Sequence, residues 1–278
     1  MIIDKETNFL YLADCLPIKF PVFFKEFEKA ILSSGIKFDL LPKTTDIWAV
    51  DYMPFQLDTN RFVKFKYNPS YLAGDKWQKT ITNTEFICNH YKLDCKTSNL
   101  VVDGGNIVKE KNKVIMCDQV FRENPLLSKQ EVISELKDTL EVEEIIFRPK
   151  EPGDSIGHAD GMIRFLNSKT ALINNLTKAN KKFRNDFHAV LKNANLDFIE
   201  IPYNPYGNKK YIQANGIYNN YLQLDGVIFL AVFDLPEDND VIKLFESLFT
   251  GVKIVPVMSN DIANEGGVLN CISWNIKK

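Results

Sequence analysis

The chain has 278 residues, 45% apolar and 25% charged, with a formal net charge of −2. That is the composition of a globular α/β-sized protein with a real core, and its charge balance gives no electrostatic case for nucleic-acid binding. No stretch approaches the roughly 18 uninterrupted apolar residues of a membrane-spanning helix, so no membrane association is expected. Asp4, Glu6 and Asp14 interrupt the first twenty residues, which also lack a basic start, so no signal peptide is expected. Five cysteines, Cys15, Cys88, Cys95, Cys117 and Cys271, form no C-x-x-C pair. An odd number without a secretory signal points to free thiols in a reducing cytoplasm rather than a disulfide framework or zinc knuckle.

Taken along the chain, apolar residues at helical spacing predict helices over about 21–34 (Phe23, Phe24, Phe27, Ala30, Ile31), more weakly over about 76–91, and over about 128–140. The third opens with Ser128 and Glu131 at capping-box spacing. Two more are expected over about 178–194 (Phe183, Phe187, Val190, Leu191) and about 239–250, with Gly251 placed as a C-terminal cap. Strand-like runs lie between them at 114–117, 144–148, 162–166, 170–174, 226–233, 253–257 and 271–276. The order is α/β throughout, and helix starts roughly 50 to 60 residues apart allow about five similar units. No low-complexity linker breaks the chain, so one domain over residues 1–278 is the simplest reading.

Four segments carry chemistry. In DIWAVDYMPFQ (46–56), Trp48, Tyr52 and Phe55 surround Asp51, a combination suited to an organic cation, although a core Trp beside a turn aspartate would read the same way. In VVDGGNIV (101–108), Asp103 precedes two glycines that permit a tight turn or close approach to a ligand, or simply a hairpin. In GDSIGHADGMIRF (153–165), His158 and Asp160 stand two apart, which on a strand would put both on one face. In NEGGVLNCISWN (264–275), Gly266 and Gly267 shortly precede Cys271, leaving room for a substrate beside a thiol.

Singly these are weak; in this order they resemble the agmatine deiminase and bacterial peptidylarginine deiminase family of guanidine-modifying enzymes. That family reads W-x-R-D-x-x-P, then acid-G-G-N, then G-H-x-D-x-x-x-R-F, then G-G-x-x-H-C. This chain reads WAVDYMP, DGGN, GHADGMIRF and GGVLNC, and residues 218–249 are also similar to the family's stretch before the nucleophile. The resemblance covers about residue 46 to the C-terminus. It implies a pentein fold, a pseudo-fivefold α/β propeller of ββαβ-type units with the site in the central cavity.

The resemblance also implies a chemistry. A guanidinium is flat, delocalised and cationic, and its carbon is a poor electrophile. Asp51 and Asp160 would grip its nitrogens by charge-assisted hydrogen bonds. Cys271 would attack the carbon as a thiolate, which an unassisted thiol supplies only in small part near neutral pH. His158 would protonate the departing ammonia and then activate water against the S-alkylthiouronium intermediate. Asp103 would orient His158, and Trp48 would wall the site. No metal or organic cofactor is needed, and a zinc site from His158, Asp160 and Cys271 lacks a further histidine in these segments.

Two positions depart from the family pattern, with Val50 for its Arg and Asn270 for the His before the nucleophile. The chain is also shorter than the agmatine deiminases, which bears on substrate choice. The expected partner is a small cationic guanidinium, agmatine by default, with arginine and peptidylarginine as alternatives; a homo-oligomer is compatible with this. Tyr52 and Asn220 are loose candidates for contacting agmatine's amine. An amidinotransferase, using the same residues with an amine in place of water, and a non-catalytic pentein binding protein are the competing readings.

Overall fold

Five small sheets repeat one pattern, in which a first strand runs antiparallel to a second and the second is joined through a helix to a parallel third. The computed structural model describes residues 1–278. The first sheet contains β1 (Phe9–Ala13), the helix Pro21–Ser33 and β2 (Lys37–Leu41). The second contains β3 (Phe55–Gln56), β4 (Arg61–Lys66), the helix Thr84–His90 and β5 (Asp94–Val101). The third contains β6 (Val108–Glu110), β7 (Lys113–Cys117), the helix Lys129–Leu140 and β8 (Glu144–Arg148). The fourth contains β9 (Ile163–Asn167), β10 (Thr170–Asn174), the helix Lys181–Asn193 and β11 (Asp197–Ile201). The fifth contains β12 (Leu222–Leu224), β13 (Val227–Val232), the helix Asp238–Leu248 and β14 (Lys253–Met258). The last strand, β15 (Ser273–Ile276), completes the first sheet by pairing antiparallel with β1 from Leu12↔Ser273 to Phe9↔Ile276. This is the pentein arrangement, closed by bringing the two ends of the chain into one sheet.

The helices form where a single apolar stripe can be buried. Pro21–Ser33 buries Phe23, Phe27 and Ile31, four residues apart, and the Phe27 ring meets Phe229 edge-on at 5.5 Å. Ser128 caps Lys129–Leu140 as expected, its Oγ accepting from Glu131 N while Glu131 accepts from Ser128 N at 2.7 Å. The weak helix over 76–91 breaks into Asp75–Gln78 and Thr84–His90. β-Branched Thr80, Ile81 and Thr82 interrupt it, and the Asn83 side chain accepts from Phe86 N to start a new helix. The helix over 239–250 ends at Leu248, and Gly251 lies beyond its cap at φ +80°. The strands β1 to β6, β11 and β12 had no expectation from sequence. Several carry charged residues or are exposed along their length, as in Lys37–Leu41, so no clean alternation marks them.

The turns that lead into the first strand of each unit meet one another in a ring. Val50 N donates to Cys271 O at 3.2 Å, and Gly105 N donates to Asp51 Oδ1 at 2.9 Å. Ala159 N and Asp160 N both donate to Gly105 O, at 3.1 and 3.0 Å. Asn219 Nδ2 donates to Met162 O at 3.2 Å, and Asn270 N donates to Asn220 O at 3.1 Å. Each contact joins one unit to the next, and the last returns to the first. His158 and Asp160 therefore sit in a turn before β9, not on a strand face as their spacing suggested. The backbone N–H groups of residues 159 and 160 are used by Gly105, which holds this segment out of the ladder.

Candidate active site

Cys271 stands at the end of the final turn, 8% exposed, with its backbone N–H donating to Asn220 Oδ1 at 3.2 Å. Its Sγ lies 3.6 Å from Asp160 Oδ2. Burial first, then the charges of Asp160 and Asp51, push the thiol well above its ordinary range. Asp160 Oδ2 also accepts from Asn270 Nδ2 at 2.7 Å. The residue that replaces the family's histidine thus turns back onto one of the site carboxylates.

His158 bridges two other acids. Its Nε2 is 2.9 Å from Asp103 Oδ2 and its Nδ1 is 3.6 Å from Asp51 Oδ1. The Arg148 guanidinium donates to the His158 carbonyl and fixes the backbone there. Burial alone would lower the imidazole's pKa, but Asp51 and Asp103 overcome it and raise the group to about 10. Asp51 is buried, and that burial pushes its carboxyl up to about 7 against the pull of His158. His158 thus stands as an imidazolium beside the carboxyl groups of Asp51 and Asp103.

Glycines make the approach possible at two points. A Cβ on Gly105 would lie 2.6 Å from His158 Nδ1 and 2.8 Å from Asp51 Oδ1. One on Gly267 would lie 2.6 Å from Trp48 Cζ3 and 3.0 Å from Cys271 Sγ, so the half-buried Trp48 ring and the thiol flank a gap that only glycine leaves open. Of the six side chains singled out in the sequence, His158 contacts Asp51 and Asp103, Cys271 contacts Asp160, and Trp48 lies across Gly267 from Cys271. The other two aromatics of the first segment do not join them. Tyr52 donates from its hydroxyl to Asp46 O at 3.2 Å, and Phe55 packs edge-on to Phe65. Asn220, a candidate amine contact, lines the cavity and accepts from the Cys271 N–H with its Oδ1.

A cavity of about 430 Å³ opens from His158, Asp160, Asn220 and Cys271. Its outer wall holds Glu151 and Asp154 from the β8–β9 connection and Tyr203, Tyr206 and Tyr211 from the β11–β12 connection. These wall residues carried no sequence signal, since loop acids and tyrosines are common and only folding brings the two connections together. A smaller cavity of about 40 Å³ lies behind Asp160 and Asn270, next to the buried pair of Arg164 with Asp4 at 2.5 Å. No helix is long and apolar enough to cross a membrane.

Comparison with known proteins bears on the fold and the family. The family model described as Porphyromonas-type peptidyl-arginine deiminase matches residues 24–276. A putative agmatine deiminase of Photobacterium profundum is 24% identical, over 96% of this chain and 85% of its own length. Among solved structures, agmatine deiminase of C. jejuni superimposes with a TM-score of 0.80 at 18% identity, covering 100% of this chain and 95% of that one. Agmatine deiminase of Enterococcus faecalis does so with a TM-score of 0.80 at 16% identity, covering 99% and 94%. The structural matches show a shared fold, and the family match extends over nearly the whole ring. The chain belongs to the Porphyromonas-type peptidyl-arginine deiminase family, and so to the hydrolases that act on the C–N bonds of amidines.

Proposed function

We propose that the protein deiminates a small cationic guanidinium, agmatine by default, to a ureido product and ammonia through a covalent intermediate on Cys271. The observation that carries this reading is that Cys271, Asp160 and His158 line one cavity, with Asp51 and Asp103 held on the two ring nitrogens of His158. A guanidinium lying between Asp51 and Asp160 would place its carbon near Sγ. Its positive charge would offset the carboxylates that now hold the thiol protonated, so binding itself would favour the thiolate.

Attack forms the S–C bond. The C–N bond to the leaving nitrogen then breaks as His158 Nδ1, which faces Asp51, supplies the proton that lets ammonia depart. Water adds to the remaining S-alkylthiouronium while His158 takes back a proton. Cleavage of the C–S bond releases the ureido product, N-carbamoylputrescine in the case of agmatine, and regenerates the thiolate. Asp103 holds the imidazole by Nε2 during both transfers. The far end of the cavity carries Glu151 and Asp154 among three tyrosines, with Lys210 on the same wall, so its charge is mixed and agmatine stands as the default from the family.

The test is a ureido-product assay with agmatine, arginine and a blocked arginine peptide. Agmatine turnover is expected without any added amine, together with loss of at least roughly 1,000-fold in Cys271→Ala, as removal of a nucleophile should give. Absence of product from all three would overturn the deiminase reading, and release that depends on an amine acceptor would point to amidine transfer.

A further inference from the structure

Asp103 receives two donors on one oxygen. Its Oδ2 is 2.9 Å from His158 Nε2 and 2.9 Å from the Tyr71 hydroxyl, while its Oδ1 is buried without a partner. Tyr71 does not come from the ring of turns. It sits in a single 3-10 turn, Ser70–Leu72, inside the long connection between β4 and the helix Thr84–His90. Nothing in its sequence surroundings, KYNPSYLAG, marks it as functional.

The connection is tied so that Tyr71 can reach. Ser70 donates from its backbone N and its Oγ to the two oxygens of Glu123, at 2.8 and 2.7 Å. Glu123 ends the short helix Gln119–Glu123, which follows β7. A loop of the second unit is thereby clipped to the third, beside the turn that carries Asp103. Gln78 Nε2 donates to Leu72 O at 3.0 Å and to Asn68 Oδ1 at 3.1 Å, and the Leu72 side chain is buried. The Tyr71 ring stands edge-on to the imidazole, with centroids 6.3 Å apart and planes at 70°.

A carboxylate held by one imidazole can rotate about its Cβ–Cγ bond as that imidazole gains and loses a proton. A second donor on the same oxygen, from a group that stays protonated, sets the carboxylate plane independently of the proton in transit. Burial and the neighbouring Asp103 keep the Tyr71 hydroxyl well above the ordinary phenol range, so it remains a donor. We propose that Tyr71 is a positioning residue for the reaction: by holding Asp103 Oδ2 it keeps His158 aligned with Nε2 on Asp103 and Nδ1 turned toward Asp51 and the departing nitrogen. This rests on the reading of His158 as the proton carrier.

Tyr71 has a second effect on the same atoms. By occupying part of the acceptor capacity of Oδ2, it limits how strongly Asp103 favours the imidazolium. The groups facing His158 are Asp51, Asp103, Asp160, Cys271 and Tyr71, with Arg148 on its carbonyl. Of these, Tyr71 alone shares Asp103 with it.

The decisive variant is Tyr71→Phe, which keeps the ring and removes the hydroxyl. It is expected to lower kcat roughly 10-fold with KM nearly unchanged, and to move the alkaline limb of kcat up by about half a pH unit. The 15N resonance of His158 Nε2 should shift in the same variant at constant melting temperature. Unchanged kcat and limb would overturn the proposal. So would a fall in kcat that tracks a fall in melting temperature while the limb and the resonance stay in place, since that is a merely structural role. If the wild-type protein turns over no guanidinium at all, the deiminase reading fails. The 15N shift then still decides whether Tyr71 acts on His158, and no shift would overturn the proposal.

Discussion

Asp160 shows how much a single side chain carries here. One of its oxygens accepts from Asn270 Nδ2 at 2.7 Å and lies 3.6 Å from the Cys271 sulfur. An amide at position 270 can donate that hydrogen bond but, unlike a histidine, carries no charge to pair with the carboxylate. Replacing the carboxylate by an amide would remove the charge-matched grip on a guanidinium and set two amides face to face. Asp160→Asn is therefore expected to lower kcat/KM by at least about 2 kcal/mol, roughly 30-fold, as loss of a charged hydrogen bond should. Steady-state kinetics on the best guanidinium substrate would show it, and a near-normal value would remove Asp160 from the substrate grip.

At the scale of elements, the working parts are the five entry turns rather than the strands or helices. Their backbones touch so closely that side chains are excluded at particular points. A Cβ on Gly104 would stand 1.8 Å from Val50 O and 2.8 Å from its carbon, and a backbone carbonyl cannot swing aside as a side chain would. Gly104→Ala should force the second and third turns apart and break the bond from Gly105 N to Asp51 Oδ1. The expected cost is at least about 2 kcal/mol of stability, with loss of activity beyond what the remaining folded fraction explains. Urea unfolding of the variant measures it; a midpoint equal to wild type would mean that the turns are not packed this tightly. Legibility in the sequence was good at this scale where acids, glycines and the cysteine share a short segment. It failed for Tyr71 and for the Glu151 and Asp154 wall, because their roles depend on loops from different units meeting in space.

Over the whole molecule, the concentration of acids around one imidazole has a thermodynamic cost that pH should reveal. His158 is raised from 6.5 to about 10 in the folded protein, so its contribution to stability is full below about pH 6.5 and is lost as pH rises through 10. Asp51 is raised from 3.8 to about 7, so its contribution is present below pH 3.8 and is lost as pH rises through 7. Both groups make the folded state hold protons that the unfolded chain releases, and both tilt stability the same way. The melting temperature should therefore decline between pH 6 and pH 10, and His158→Asn should flatten the upper part of that decline. A parallel decline in the variant would place the source elsewhere.

Local spacing was enough for the helices near 21–33, 129–140, 181–193 and 238–248, because a buried stripe and a capping side chain act within a few residues of each other. The order of four short segments was also enough to recognise the family, since each keeps its reacting groups beside the glycines that give them room. What folding alone decided is long-range. The pairing of β15 with β1 closes the ring across nearly the whole chain. The family resemblance already paired His158 with Asp103, 55 residues upstream, but only folding placed Tyr71 on the same oxygen, by a loop clipped to another unit. Such contacts form only when five separate units share one axis, and no periodicity within a unit encodes which turn will face which.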